Sequence, residues 1–238
     1  MTDSKPLSGK LALVTGASRG IGAATAQALA ARGAHVILVA RTSAALEEVE
    51  QLIHEAGGSA TIAPLDLTDG TGIGKLAGAV TERWGSLEVL VLNAATLGSL
   101  TPVQDIDPKE FARLMSLNLL ANQALIAAFD PLLRKANQAD VFAVTSAVGA
   151  QPRAFWGAYG SSKAALDSLL GAYADETAHT KRIRVHIVDP GATRTRMRAL
   201  AFPGEEPDSL KPPEAVAQAI LARIASDAPT GGRFRVEA

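Results

Sequence analysis

The chain has 238 residues, 47% hydrophobic, 20% charged and 4% aromatic, with 23 basic against 24 acidic side chains and no cysteine. That length suits one or two domains, α/β folds often filling it as one, and buries enough surface to need no covalent staple. The missing cysteine excludes disulfides, thiolate-ligated metals and a thiol nucleophile, and a net charge of −1 argues against a nucleic-acid surface built on bulk positive charge. Met1 to Lys10 is polar, without the apolar core of a signal peptide. The longest apolar runs, such as Val36 to Ala40, are strand-sized, so the expectation is a cytoplasmic protein with no membrane contact.

Along the chain, short apolar runs alternate with longer amphipathic ones. Leu11–Thr15, His35–Ala40, Ser59–Leu65, Leu87–Leu92, Ala139–Thr145 and Ile183–Val188 read as strands, and Arg233–Val236 as a short last one. Their apolar character is nearly continuous, which implies burial on both faces, as in a parallel sheet. Helical patterns lie between them at about 20–32, 43–56, 72–84, 107–134 (read as two helices), 157–180 and 213–226. The 46 alanines favour helices packed closely on something flat. The alternation predicts an α/β doubly wound parallel sheet of Rossmann type, six to seven strands with helices on both faces, in a single domain over 1–238. The stretch at about 191–213, rich in Arg, Pro and acidic residues, interrupts it and reads as a substrate lid.

Between the first strand and the first helix stands Thr15-Gly16-Ala17-Ser18-Arg19-Gly20-Ile21-Gly22. Glycines there let the backbone turn tightly and bring a pyrophosphate against the N–H groups of a helix N-terminus. The same residues match the nucleophile elbow of hydrolases, G-x-S-x-G, but an elbow follows earlier strands and needs a late loop histidine. Here the turn follows strand one, and the last histidine, His186, falls inside a strand pattern. At the end of strand two, where a dinucleotide binder selective for NAD carries an acid, the sequence reads Ala40-Arg41-Thr42. Arg19 and Arg41 would converge on one ribose, and two guanidinium groups suit a 2′-phosphate, so the expected cofactor is NADP(H) rather than NAD(H).

Strand five runs out at Val144-Thr145-Ser146, followed by Tyr159-Gly160-Ser161-Ser162-Lys163. Tyr159 and Lys163 are spaced i, i+4 and share a helix face. A lysine charge beside a phenol favours phenolate, which tunes the tyrosine toward acid/base work. Ser146 stands at a strand's carboxyl end, where doubly wound sheets bind ligands.

Together these residues resemble the short-chain dehydrogenase/reductase family, from Lys10 to about Ile224. The resemblance is carried by the glycine turn, Asp66-Leu67, Asn93-Ala94, Asn118, Ser146, Tyr159, Lys163 and Pro190-Gly191-Ala192-Thr193. The stretch Pro190 to Pro213 looks like a bacterial subgroup labelled oxoacyl-carrier-protein reductase-like. The resemblance implies a carbonyl reductase or alcohol dehydrogenase. Tyr159 would exchange the proton with the substrate oxygen. Lys163 would hold the nicotinamide ribose and lower the Tyr159 pKa. Ser146 would orient the carbonyl, and Asn118 would anchor a water behind Lys163. Gly16, Ser18, Arg19, Gly20, Ile21, Gly22, Arg41, Asp66, Leu67, Asn93, Ala94, Pro190, Gly191 and Thr193 would line the cofactor, with Asp66 at adenine and Thr193 at the carboxamide. No metal site is expected.

Two departures stand out. Ala95 replaces a family glycine beside the cofactor, and the chain stops soon after Val236, in a region that builds one contact of family tetramers. The expected partners are a small carbonyl or alcohol substrate and a homodimer or homotetramer. Val148, Gln151, Arg153, Phe155, Trp156, Met197 and Phe202 are candidates for the substrate pocket. Trp156 reads equally as pocket lining or as packing against a neighbouring subunit. Arg153, Arg194, Arg196 and Arg198 read equally as an anion-binding group or a solvated face. The rival is a non-catalytic NADP-binding regulatory protein, which needs the glycine turn but not the set Asn118, Ser146, Tyr159 and Lys163.

Overall fold

The computed structural model describes residues 5–237. Seven strands form one sheet: β1 (Leu11–Thr15), β2 (His35–Ala40), β3 (Ser59–Pro64), β4 (Val89–Leu92), β5 (Ala139–Val144), β6 (Ile183–Asp189) and β7 (Gly232–Arg235). Neighbours run parallel in the order β3-β2-β1-β4-β5-β6-β7. The order reverses between β1 and β4, and a doubly wound sheet opens its ligand crevice at the carboxyl ends of such a pair.

The helices are α1 (Gly20–Ala31), α2 (Ser43–Glu55), α3 (Gly70–Arg83), α4 (Pro108–Met115), α5 (Ala121–Lys135), α6 (Ala147–Ala150), α7 (Gly157–Ala178), α8 (Arg196–Ala201) and α9 (Pro213–Ile224). Local chemistry starts several of them. The Asp69 carboxylate accepts from Thr71 N before α3, and Asp107 accepts from Glu110 N before α4, whose first residue is proline. No helix among the described residues is long and apolar enough to cross a membrane.

Side chains alternate across each strand and build two cores. Leu11 and Leu13 face α3, α5 and α7, packing with Ile73, Phe129, Leu166 and Leu170. Ala12 and Val14 face α1, α2 and α9, packing with Leu29, Leu46, Ile53 and Ile220. Alanines at 23, 26 and 30 let α1 lie close to the second face.

The structure refines several expectations. The fourth strand begins at Val89 rather than Leu87, because Leu87 N leaves the ladder to donate to Leu132 O. The two helices expected over 107–134 are α4 and α5, but a π-helical segment, Ser116–Leu120, joins them without a break. The last strand is shifted by one residue, Gly232–Arg235 rather than Arg233–Val236. The stretch 191–213 is not a bare loop, since it holds α8 and a 3-10 turn at Pro207–Ser209.

Candidate active site

The crevice between β1 and β4 is held open by Thr15. Its hydroxyl donates to Val91 O (3.1 Å) and accepts from Asn93 N (2.9 Å) and Ala94 N (3.1 Å), sewing the two strand ends together. Gly16 and Gly20 take positive φ (63° and 56°), the left-handed region that glycine enters without strain. A Cβ on Gly16 would stand 2.9 Å from Asn93 Nδ2, and one on Gly22 would collide with the Gly16 carbonyl oxygen. Asn93 Nδ2 donates to Thr15 O (2.9 Å) and Gly16 O (3.3 Å), so this side chain braces the turn. Ser18 and Ile21 are half-buried beside it.

No side chain caps the first turn of α1, and that turn contains no acid. Its N–H groups and positive helix end are therefore left free above a turn whose tight path any side chain at Gly16 or Gly22 would distort, which fits a pyrophosphate. Arg19, Arg41 and Asp66 are exposed just beyond the carboxyl ends of the adjacent strands β1, β2 and β3. The Asp66 carboxyl is held below its ordinary range by the N–H and hydroxyl of Thr68, with Arg41 adding to the effect. Leu67 is buried beneath it and Ala94 is half-buried beside the turn. Two cations and a carboxylate held by Thr68 thus stand at one end of the crevice.

The other end is built from buried polar groups. Ser146 follows β5 in extended conformation, and its carbonyl accepts from Arg233 Nη2 (2.7 Å) and Gly149 N (3.0 Å). Tyr159 and Lys163 lie one turn apart on α7, with 6% and 2% of their surfaces exposed. Lys163 Nζ donates to Val144 O (2.9 Å) and stands 5.6 Å from the centre of the Tyr159 ring. Burial pushes the Lys163 ammonium down to about 8, against the favourable charge of Asp167. Burial pushes the Tyr159 phenol upward, and the charge of Asp189 pushes it further. At Tyr159, where Lys163 is expected to lower the phenol, burial and the Asp189 charge set the direction in this structure, and it is upward.

Asn118 lies buried in the π-helical segment. Its side chain accepts from Thr96 N (2.9 Å) and donates to Thr96 O (2.9 Å) and Ser162 Oγ (3.1 Å), while its carbonyl accepts from Asn122 Nδ2 (2.8 Å). It cross-links the segment after β4 to α7 and makes no direct bond to Lys163. Pro190 and Gly191 continue from β6, Gly191 at φ 61°. The Thr193 hydroxyl turns back to Pro190 O (2.8 Å), and its backbone pairs with Lys211.

Apolar side chains cover Tyr159. Trp156 meets it edge-on (5.9 Å between centres) and leans on Phe202 (5.7 Å), with Val148 and Met197 in the same cluster. Trp156 thus packs within its own chain on these two rings. Gln151, Arg153 and Phe155 are exposed, Phe155 at φ 70°, but the Arg153 guanidinium still reaches the cluster, 5.9 Å from the centre of Trp156 and 5.3 Å from that of Phe202. The arginines of the 191–213 stretch are partly paired: Arg198 bonds bidentately to Glu205 (2.6 Å each) over the Phe202 ring, and Arg194 pairs with Asp208 (3.3 Å). Thr195 brings this stretch back to the glycine turn, its methyl 3.6 Å from where a Gly20 Cβ would lie.

Residue-by-residue reading of the sequence missed Thr15, Asp167, Asp189 and Arg233. Thr15 borders the glycine turn and was within reach. The other three come from separate elements and have no motif to announce them.

The short chain dehydrogenase family pattern matches residues 10–206. The oxidoreductase YciK of Escherichia coli K12 is 37% identical over 210 residues, covering 87% of this chain and 82% of YciK. A Pseudomonas syringae chain described as a short chain dehydrogenase superposes with TM-score 0.95 at 37% identity, over 100% of this chain and 98% of its own. A Shigella flexneri short chain dehydrogenase complexed with NADP gives TM-score 0.93 at 35% identity, over 99% and 100%. These matches do not assign the oxoacyl-carrier-protein reductase-like subgroup.

Proposed function

This chain belongs to the short chain dehydrogenase family of oxidoreductases, and from that premise we propose that it interconverts a carbonyl compound and its alcohol with NADP(H). The observation that carries the reading is an ammonium, Lys163, buried 5.6 Å from the ring of a buried phenol, Tyr159, at the carboxyl end of the sheet. Burying a charge is costly. A regulatory binder could use Lys163 to hold the ribose but has no use for a phenol buried beside it.

The glycine cradle and the N-terminus of α1 would hold the pyrophosphate, and Arg19 and Arg41 the 2′-phosphate. The NADP complex of the Shigella relative supports that choice. When bound, the dinucleotide supplies or accepts the hydride. This chain's residues do the rest. Ser146 donates to the substrate oxygen and orients it. Tyr159, kept protonated by burial, gives that oxygen a proton in the reducing direction. Lys163, resting on Val144 O, supplies the positive charge that offsets the phenolate left behind. Asn118 holds α7 in register with the segment after β4. Trp156, Val148, Met197 and Phe202 exclude water from the exchange. The stretch 191–213 acts as the lid of a single dinucleotide-binding and catalytic unit.

The test is a panel of ketones, aldehydes and secondary alcohols followed at 340 nm with each cofactor. Oxidation of NADPH by at least one carbonyl, with NADH bound about tenfold more weakly or worse, is the expected result. Equal affinity for the two cofactors contradicts the assignment of Arg19 and Arg41.

A further inference from the structure

We infer that Arg233 is a positioning residue: with Asp167, it locks the Ser146 peptide to the helix carrying Lys163, so the last strand sets the geometry of the reacting groups. This rests on the reading of Ser146, Tyr159 and Lys163 given above.

Arg233 reaches from β7 across the carboxyl ends of β5 and β6. Its Nη1 pairs with the Asp167 carboxylate and lies 3.5 Å from Thr145 Oγ1. Its Nη2 donates to Ser146 O (2.7 Å) and stands 4.0 Å from Asp189 Oδ2. One planar guanidinium therefore touches the ends of β5 and β6 and the body of α7. A lysine could not repeat this, because it lacks the fixed fork.

Asp167 follows Lys163 by one helical turn. The fit there is close: a Cβ on Gly149 would stand 3.1 Å from both Asp167 Oδ2 and Lys163 Cβ. The Ser146 carbonyl takes both Arg233 and Gly149 N, so its peptide plane has little freedom. A fixed peptide plane at residue 146 fixes the Cα–Cβ direction from which the serine hydroxyl is presented. Asp167 also favours the charged form of the Lys163 ammonium, and while burial pushes the Asp167 carboxyl upward, Arg233 opposes that push. Asp189 on β6 and Tyr159 on α7 are the other titratable groups around this cluster.

A purely structural staple gives a clear contrast. Arg184 holds Asp140 bidentately (2.8 and 2.9 Å) at the far end of β5 and β6, away from Ser146. Arg184→Met is expected to lower Tm and leave kcat unchanged. Arg233→Met and Asp167→Asn are expected to lower kcat about tenfold with NADPH affinity within about twofold, because they misplace groups without removing a cofactor contact. The double variant loses no more than either single one, and Arg233→Lys recovers part of the loss. Independently of any substrate, lysine ¹³C NMR follows the Lys163 titration, whose midpoint moves to lower pH in Asp167→Asn.

Unchanged kcat in Arg233→Met, in a protein where Tyr159→Phe is inactive, overturns the inference and leaves the catalytic reading standing. Turnover retained in Tyr159→Phe overturns the catalytic reading instead. If no panel member turns over, an unmoved Lys163 midpoint in Asp167→Asn overturns the inference by itself.

Discussion

The two ends of the crevice are built from different materials. At β1–α1 the backbone does the work: positive-φ glycines, a braced carbonyl and uncapped helix N–H groups, with charge only at the exposed rim. At β5–α7 side chains do it: a buried ammonium, a buried phenol and an arginine drawn from the last strand. A backbone cradle suits a ligand whose phosphates are the same in every reaction. A side-chain cluster suits a step in which a proton must move, because only side chains have pKa values to shift. The backbone end should therefore fail by steric exclusion, and the side-chain end by charge and position.

The sharpest break is Gly22→Val. Its Cβ meets the Gly16 carbonyl and Asn93, so NADPH binding measured by fluorescence should weaken about 100-fold, with a lower Tm. Lys163→Met probes the other end and should abolish turnover. Its effect on stability has a sign set by pH. The ammonium has an ordinary value of 10.5 and titrates near 8 in the fold, so below pH 8 the burial cost is felt in full and above pH 10.5 it vanishes. Measured by chemical denaturation, Lys163→Met should be most favoured relative to the parent below pH 8. That advantage should shrink by on the order of 3 kcal/mol toward pH 10.5. The lost bond to Val144 offsets part of it. Growth of the advantage with rising pH would contradict a buried charged lysine.

Arg41→Asp acts at the rim and leaves the cradle intact. It should cut the preference for NADPH over NADH about tenfold or more, read from the two dissociation constants. The smallest effect belongs to Arg198→Ala. It breaks an ion pair with Glu205 and a stack on Phe202, and should move the denaturation midpoint less than any of the changes above.

The same contrast explains what the sequence made readable. A glycine turn is written in consecutive residues, so Gly16, Gly20 and Gly22 could be placed by spacing alone. Continuous apolar strands gave the parallel sheet for a similar reason. Arg233 and Asp167 stand 66 residues apart, and their pairing depends on β7 lying beside β6, which no local pattern encodes. The upward push of burial and of Asp189 on Tyr159 was also hidden, because i, i+4 spacing gives proximity and says nothing of solvent. The π-helical segment around Asn118 escaped because apolar spacing reads the same through it.

The central claim is that Tyr159 passes the proton that accompanies hydride transfer. It is tested most directly by Tyr159→Phe, assayed at 340 nm with NADPH and any carbonyl the parent reduces, beside an NADPH titration of both proteins. The account predicts a loss of turnover of about 1000-fold with NADPH affinity unchanged within about twofold. Turnover near the parent's rate in the phenylalanine variant would contradict it.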